Sequence, residues 1–427
     1  MHRAWRLLYD AATRSADLAA ALGRPAVGPK WWRAVQGRRG LIARYAAWAA
    51  AHRARDRPLL WIHAPSVGEG LQARPLLERL RSNRPDLQVA YTYYSPSAVS
   101  FASTLRPALA DFTDYLPFDT AAAADDALDA LAPTAVVFSK LDVWPVLVER
   151  AAARGIPLGL VSATLAASSS RRGPLVRALL HDAYARLDAV GAVSDADADR
   201  LADLGVRRAA ITVTGDTRYD QVWTRARATE SHPPPWLTTL RDDRLVLVAG
   251  STWPSDESVL LDAVPSQLRL VIAPHEPTPA HLASIERWAA QANRTIRRLD
   301  APDAHSADVV LVDRLGVLGD LYALADIAYV GGAFHAAGLH SVLEPAAFGA
   351  PVLFGPRYHA SRDAELLLSA GAAHSVANQT ELTDRLNAWT TDDAARRTAG
   401  ARARDVVRQG LGAADRSVAL VGRLLGS

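Results

Sequence analysis

Three charged side chains stand just past strand-like runs, which is where an α/β chain exposes groups to a ligand. Glu69 lies in HAPSVGEG, directly after the apolar run LLWIH and before the helical stretch LQARPLLERL. A carboxylate there either faces a bound substrate, with Ser66 beside it and Gly68 permitting close backbone approach, or complements the positive end of a helix. Arg218, in GDTRYD at 215–220, sets a fixed positive charge after a second run, for an anion or for an interdomain ion pair. Lys140, in SKLDVWP at 139–145, follows the run AVVFS, and the chain has only two lysines, Lys30 and Lys140, within 48 Lys plus Arg. A lysine amid so many arginines marks a place that calls for a compact ammonium.

The second half offers a different chemistry. Pro274 and His275, in APHEP, again follow an apolar run, and Gly331, Gly332 and Gly338 precede HSVLEPAAFG. A helix beginning near Ser341 presents free N–H groups to an anion such as a nucleotide phosphate, and Ser341 with Glu344 equally fits a capping box. His275, His335 and His340 read as hydrogen-bonded loop histidines. The chain contains no HExxH, GxxxxGK[ST] or GxSxG motif and no tight group of histidines and carboxylates at metal spacing, so no metal is expected.

The elements that must hold these groups are short β-branched runs alternating with longer alanine- and leucine-rich stretches, the rhythm of βαβ units around a parallel sheet. Strands are predicted at 59–63, 87–93, 135–139, 158–162, 188–194 and 210–215, then at 245–250, 268–274, 308–313, 326–332 and 351–355. Their near-continuous apolarity predicts burial on both faces. Between the two series lies TRARATESHPPPWL (224–237), whose three prolines predict a linker. The expected division is therefore 1–223, a linker at 224–240, and 241–427, with a last helical stretch at about 393–425 returning to the first domain.

Composition bounds the partners. With 427 residues, 49% hydrophobic and 22% charged, the chain is a folded protein of two domains, and a net charge of +3 without a basic, aromatic-interleaved block gives no nucleic-acid groove. The absence of cysteine excludes disulfides and thiolate chemistry. The first two dozen residues never reach the ~18 apolar positions of a spanning helix. Trp31 and Trp32 beside Arg33, Arg38 and Arg39 suit either an anionic lipid interface or an amphipathic helix packed inward.

In order, HAPSVGEGLQARP, TYYSPSA, LPFDT, VFSKLDVWP, LVSATL, GDTRYD, VAGSTWPSDE, IAPHEP, DRLGVLGDLYALADIAYVGGAF and GLHSVLEPAAFGAPVLFGP resemble the successive landmarks of the 3-deoxy-D-manno-octulosonic acid (Kdo) transferases, over roughly residues 55–375. The resemblance implies a GT-B fold, two Rossmann-like domains facing across a cleft, and transfer of Kdo from CMP-Kdo to a lipid A precursor in lipopolysaccharide synthesis, with inversion and without metal or other cofactor. It implies that Glu69 is the proton acceptor and that Arg218 and Lys140 occupy transition-state-stabilising positions, although Lys140 stands where many members carry glutamate. Asp142 is then the nearby carboxylate that can take part of that role. The CMP contacts map onto Pro274 and His275, onto Leu315, Gly316 and Val317, and onto Ser341, Val342, Leu343 and Glu344. His275 replaces a common arginine and Ser341 a common asparagine. A peripheral place on the cytoplasmic face of the inner membrane follows from such an acceptor. The alternatives are a GT-B enzyme for another nucleotide sugar and a catalytically impaired scaffold of the same fold.

Overall fold

The computed structural model describes residues 29–426. They form two compact units, one comprising the described residues up to Gln221 together with those from Leu411 onward, the other Val222–Gly410. Each unit is built on a seven-stranded sheet in which all strands run parallel.

The first sheet has the order β3-β2-β1-β4-β5-β6-β7. Its strands are β1 (Leu59–His63), β2 (Gln88–Tyr93), β3 (Phe112–Tyr115), β4 (Ala135–Ser139), β5 (Leu158–Ala163), β6 (Ala189–Ala192) and β7 (Ile211–Val213). The second has the order β10-β11-β9-β8-β12-β13-β14, with β8 (Val246–Thr252), β9 (Arg269–Pro274), β10 (Ile296–Arg298), β11 (Val309–Leu311), β12 (Ile327–Val330), β13 (Val352–Phe354) and β14 (Ala373–Ser375). Residues 59–63, 88–93, 135–139 and 158–163 are buried throughout, as strands covered by helices on both faces must be. The GT-B expectation of two doubly wound Rossmann-like domains is what each unit shows. All eleven predicted strands are present, and three more, β3, β10 and β14, lie at sheet edges.

The helices that bear on the site are α1 (Pro29–Gly37), α2 (Val67–Asn83), α3 (Pro174–Ala185), α4 (Thr217–Ser231), α5 (Pro254–Leu260), α6 (Leu343–Ala347), α7 (Asp393–Gln409) and α8 (Ala413–Leu424). The expected linker at 224–240 is corrected here. Residues 224–231 are the end of α4, and Pro235–Thr238 form a further short helical turn. The prolines stop a helix rather than join the domains. The C-terminal stretch expected as one helix breaks at Gly412, which takes a φ of 87° between α7 and α8. Leu424 of α8 packs where a side chain at Gly159 would lie, so the last helix rests on β5 of the first unit.

Candidate active site

In the first sheet the order reverses between β1 and β4, and loops leaving such neighbours on opposite faces open a crevice at their carboxyl ends. The loop after β1 puts Ser66 at the start of α2 and Glu69 in its first turn; the loop after β4 supplies Lys140. Lys140 Nζ lies 3.0 Å from Glu69 Oε1, Ser66 Oγ donates to Oε2, and Ser139 Oγ reaches the Glu69 carbonyl oxygen at 3.5 Å. The Glu69 side chain is 15% exposed and that of Lys140 43%, so the pair is open on the lysine side. Burial alone raises the Glu69 pKa, but the Ser66 hydroxyl and the Lys140 ammonium outweigh it and hold the carboxyl below its ordinary value. Glu69 is therefore ionised at neutral pH and held in place by two partners.

Lys140 reaches this position through an unusual backbone. Its φ is 66°, as is seldom seen without glycine, while its N–H donates to Val161 O at 2.8 Å. Ser162, at the end of the adjacent β5, also has a positive φ of 51°. Strain of this kind persists where surrounding bonds over-determine it, and it gathers at functional sites.

GDTRYD divides between tasks. Thr217 Oγ1 donates to Gln72 O on α2 at 2.7 Å and lies 3.1 Å from Ser162 Oγ, so the motif sits against the helix that carries Glu69. Arg218 bonds Asp216 Oδ2 through Nε at 2.8 Å and Nη2 at 2.6 Å, and its side chain remains 38% exposed. Asp220 is buried and accepts the backbone N–H groups of Gly412 and Ala414 at 2.9 and 3.0 Å. That carboxylate caps α8 and is structural. The structure thus brings Glu69 and Lys140 into contact and leaves Arg218 in the first turn of α4, paired to Asp216.

Asp142 has its own support. His63, fully buried at the end of β1, places Nε2 3.1 Å from Asp142 Oδ2 and Nδ1 3.1 Å from Thr92 Oγ1, and Trp144 Nε1 donates to the same carboxylate oxygen at 3.1 Å. Burial raises the Asp142 pKa, and His63 and Trp144 more than offset it, so the carboxyl stays below its ordinary value.

In the second sheet the reversal falls between β8 and β12. Gly331 is required there: a Cβ on it would stand 2.3 Å from Ser251 O and 2.7 Å from Thr252 Cα. Gly332 turns the chain with a φ of 95° and donates to Asp256 Oδ2 at 2.8 Å, while Asp256 also accepts from Trp253 N at 2.9 Å. This fully buried carboxylate in the first turn of α5 ties the two loops together. Above it the Trp253 ring stacks on His335 at 4.0 Å and on His275 at 4.7 Å, His275 stacks on His340 at 4.5 Å, and Trp253 Nε1 donates to His340 Nε2 at 3.2 Å. Burial, with His275 and His335 nearby, lowers the His340 pKa, which favours the neutral ring that accepts this bond. The histidines form a flat aromatic stack rather than a set of nitrogens converging on a point.

Two of the other positions expected to meet the nucleotide, Gly316 and Glu344, lie near Arg225. Arg225 pairs with Asp320 at 3.0 Å and donates to Gly316 O at 3.2 Å, and it bears electrostatically on Glu344. Burial, reinforced by Asp320, raises the Glu344 pKa against the pull of Arg225. Val317 precedes a short helical turn, Gly316 has a φ of 89°, and Leu315 is 74% exposed beside them. The helix expected from Ser341 begins instead at Leu343 and has five residues, with no side-chain cap, so Ser341 and Glu344 form no capping box. Ser341 is exposed next to His340, whereas Glu344 turns toward Arg225. Pro274 ends β9, and His275 N donates to Thr252 O at 2.9 Å.

The sequences decide the family. A profile described as 3-deoxy-D-manno-octulosonic-acid transferase (kdotransferase) matches residues 35–221. The 3-deoxy-D-manno-octulosonic acid transferase of Bordetella pertussis is 32% identical over 330 residues, covering 74% of this chain and 75% of the relative. The chain belongs to the Kdo transferase family. That of Chlamydophila psittaci is 31% identical over 323 residues, 74% of this chain and 73% of its own. A solved UDP-GlcNAc 2-epimerase from Neisseria meningitidis, 13% identical with a TM-score of 0.62 over 87% of this chain and 100% of its own, shares the fold alone. Membership makes this Kdo transferase a glycosyltransferase, and the alternative of a GT-B enzyme for another nucleotide sugar is set aside.

Sequence reasoning missed Trp253, Asp256 and Arg225 as organisers. The first two were visible in GSTWPSDE, where a strand end meets a proline-started helix with aspartate two residues after the proline, the same strand-turn-helix signal that exposed Glu69. Arg38, expected at a lipid interface, is corrected: it is buried over Tyr94 at 4.3 Å and Tyr115 at 4.8 Å, and it donates to Leu116 O at 2.8 Å. Trp32 is half-buried and Arg33 and Arg39 are exposed, while the Trp31 side chain and residues 1–28 lie outside the described residues. No helix among the described residues is long and apolar enough to cross a membrane.

Proposed function

We propose that this Kdo transferase moves Kdo from CMP-Kdo to a lipid A precursor by direct displacement, with Glu69 as general base and no metal. The observation that carries the reading is the ionised Glu69 carboxylate held between Ser66 and Lys140 at the reversal of the first sheet. The acceptor hydroxyl gives its proton to Glu69 as its oxygen bonds the anomeric carbon, and the bond from that carbon to the phosphate oxygen breaks, with its electron pair leaving on CMP. One displacement inverts the anomeric centre. A positioned carboxylate of this kind contributes about 10²–10⁴-fold.

Arg218 is the cation we assign to the charge that develops on the leaving phosphate, with Lys140 keeping Glu69 ionised and adding positive field. Pro274, His275, Leu315, Gly316, Val317, Ser341, Val342, Leu343 and Glu344 are the proposed CMP contacts, and the stack led by Trp253 and the pairing of Arg225 with Gly316 support them. The acceptor's acyl chains call for a peripheral position on the membrane.

The test is transfer from CMP-Kdo, generated in place, to a tetraacylated lipid A precursor, comparing wild type with Glu69→Gln in EDTA. Transfer that survives EDTA and drops by about 10²-fold or more in the variant is the expected result. A variant that keeps more than a tenth of the activity removes Glu69 as the base, and activity abolished by EDTA removes the metal-free reading. CMP, but not UDP, is expected to raise the melting temperature.

A further inference from the structure

We infer that the start of α3, with Leu175 and Val176 and the arginines around them, is the surface that rests on an anionic lipid bilayer and brings the lipid acceptor to Glu69. The inference rests on the proposed acceptor. Leu175 is 66% exposed and Val176 37%, on consecutive residues of the first turn, whereas the buried residues of α3 are Ala183 and Tyr184 near its other end. Two large apolar side chains facing water together are a contact surface in waiting.

Charge identifies the occupant. No Asp or Glu occurs from residue 150 to 181, while Arg171, Arg172 and Arg177 flank the exposed pair along the chain. Arg172 donates only to the uncharged Ala167 O, at 2.6 Å, and the Arg177 guanidinium has no ion-pair or hydrogen-bond partner among the described residues. Apolar side chains that enter the acyl boundary, ringed by arginines at headgroup level, suit an anionic bilayer better than a protein partner, whose matching face would have to supply both carboxylates and an apolar pocket.

Position connects the surface to the chemistry. The buried end of α3 holds the catalytic loop, with Tyr184 Oη donating to Leu141 O at 2.9 Å, next to Lys140. Arg171, just before α3, acts on Asp142 of the same loop. At 1.5 Å per residue, Leu175 lies about 14 Å along the helix from Tyr184, comparable to the reach of a sugar headgroup whose chains stay in the bilayer.

The test uses the full chain and vesicles of phosphatidylethanolamine and phosphatidylglycerol, with phosphatidylcholine vesicles as the uncharged control, read by co-sedimentation. Wild type is expected to partition into the anionic vesicles only. Leu175→Glu combined with Val176→Glu, and separately Arg172→Gln combined with Arg177→Gln, are each expected to lower partitioning by about tenfold or more. Both should melt like wild type and transfer Kdo normally to a detergent-dispersed acceptor while losing transfer to a vesicle-embedded one. Partitioning unchanged in both variants overturns the inference. So does a wild-type dimer that Leu175→Glu dissociates without effect on vesicles, which would assign the face to a second copy of the chain. If wild type transfers no Kdo yet binds vesicles through Leu175, the surface stands and the acceptor reading fails.

Discussion

Replacing Lys140 tests how the Glu69 carboxylate is kept ready. At 3.0 Å, two unit charges in a medium of effective dielectric about 20 attract by about 5.5 kcal/mol. The Lys140 side chain is 43% exposed, so solvent screening reduces the coupling to about 1–2 kcal/mol. The sign follows from the direction of the shift. Glu69 sits below its ordinary pKa, so the pair's contribution to stability is present above the unfolded carboxylate value and is lost as pH falls through the depressed folded one. Activity follows the same ionisation. Lys140→Met removes the ammonium, and the acid limb of kcat/KM against pH moves to higher pH by a displacement equivalent to about 1–2 kcal/mol. Lys140→Glu sets a second carboxylate beside the first and moves the limb further the same way. The assay is the pH profile of transfer for the three proteins. Coincident acid limbs, or a glutamate variant displaced to lower pH, would refute the idea that Lys140 acts through Glu69.

Two further substitutions test the scaffold. Asp220→Ala leaves the N–H groups of Gly412 and Ala414 without their buried acceptor, a loss of about 2–4 kcal/mol. Hydrogen exchange in residues 413–424 is expected to accelerate by roughly thirtyfold to several hundredfold, and unchanged exchange would show that another group caps α8. Gly331→Ala forces a methyl against Ser251 O and Thr252 Cα, costs about 1–3 kcal/mol, and should lower the melting temperature of the second unit by about 3–10 °C in a thermal scan.

What the sequence could and could not show follows from where each residue sits in a sheet. Central strands such as AVVFS are apolar on both faces and read directly. β10 and β14 are three-residue edges partly open to water that carry Arg297, Arg298 and His374, and β3 is a buried four-residue edge interrupted by Asp114, so none of them offers an apolar run to detect. The supposed linker failed for a related reason. The division between units falls at Gln221, within α4, and a helix that passes such a point keeps helical composition throughout, whereas the prolines at 233–235 advertise only where that helix stops.

The candidate site residues Glu69, Lys140 and His275 were legible singly, because each follows a strand; their partnership was not, because it depends on strand order. Glu69 and Lys140 are 71 positions apart and meet only because β1 and β4 are neighbours. Trp253 and His340, 87 apart, meet because β8 lies beside β12. In both units, then, the candidate cluster stands where the sheet order reverses, and in both a residue with positive φ follows or ends the strand there, Lys140 after β4 and Ser251 in β8. Propensity gives no reason for a lysine or a serine in that conformation. The reason lies in the crevice. A side chain leaving the strand end in the extended direction would continue toward one face of the sheet, whereas a left-handed residue turns the chain early, and at Lys140 that turn goes with an ammonium beside the carboxylate of the neighbouring loop. The backbone conformation and the ion pair are therefore parts of one arrangement, and the ionised state of Glu69 depends on a turn that no local pattern announces.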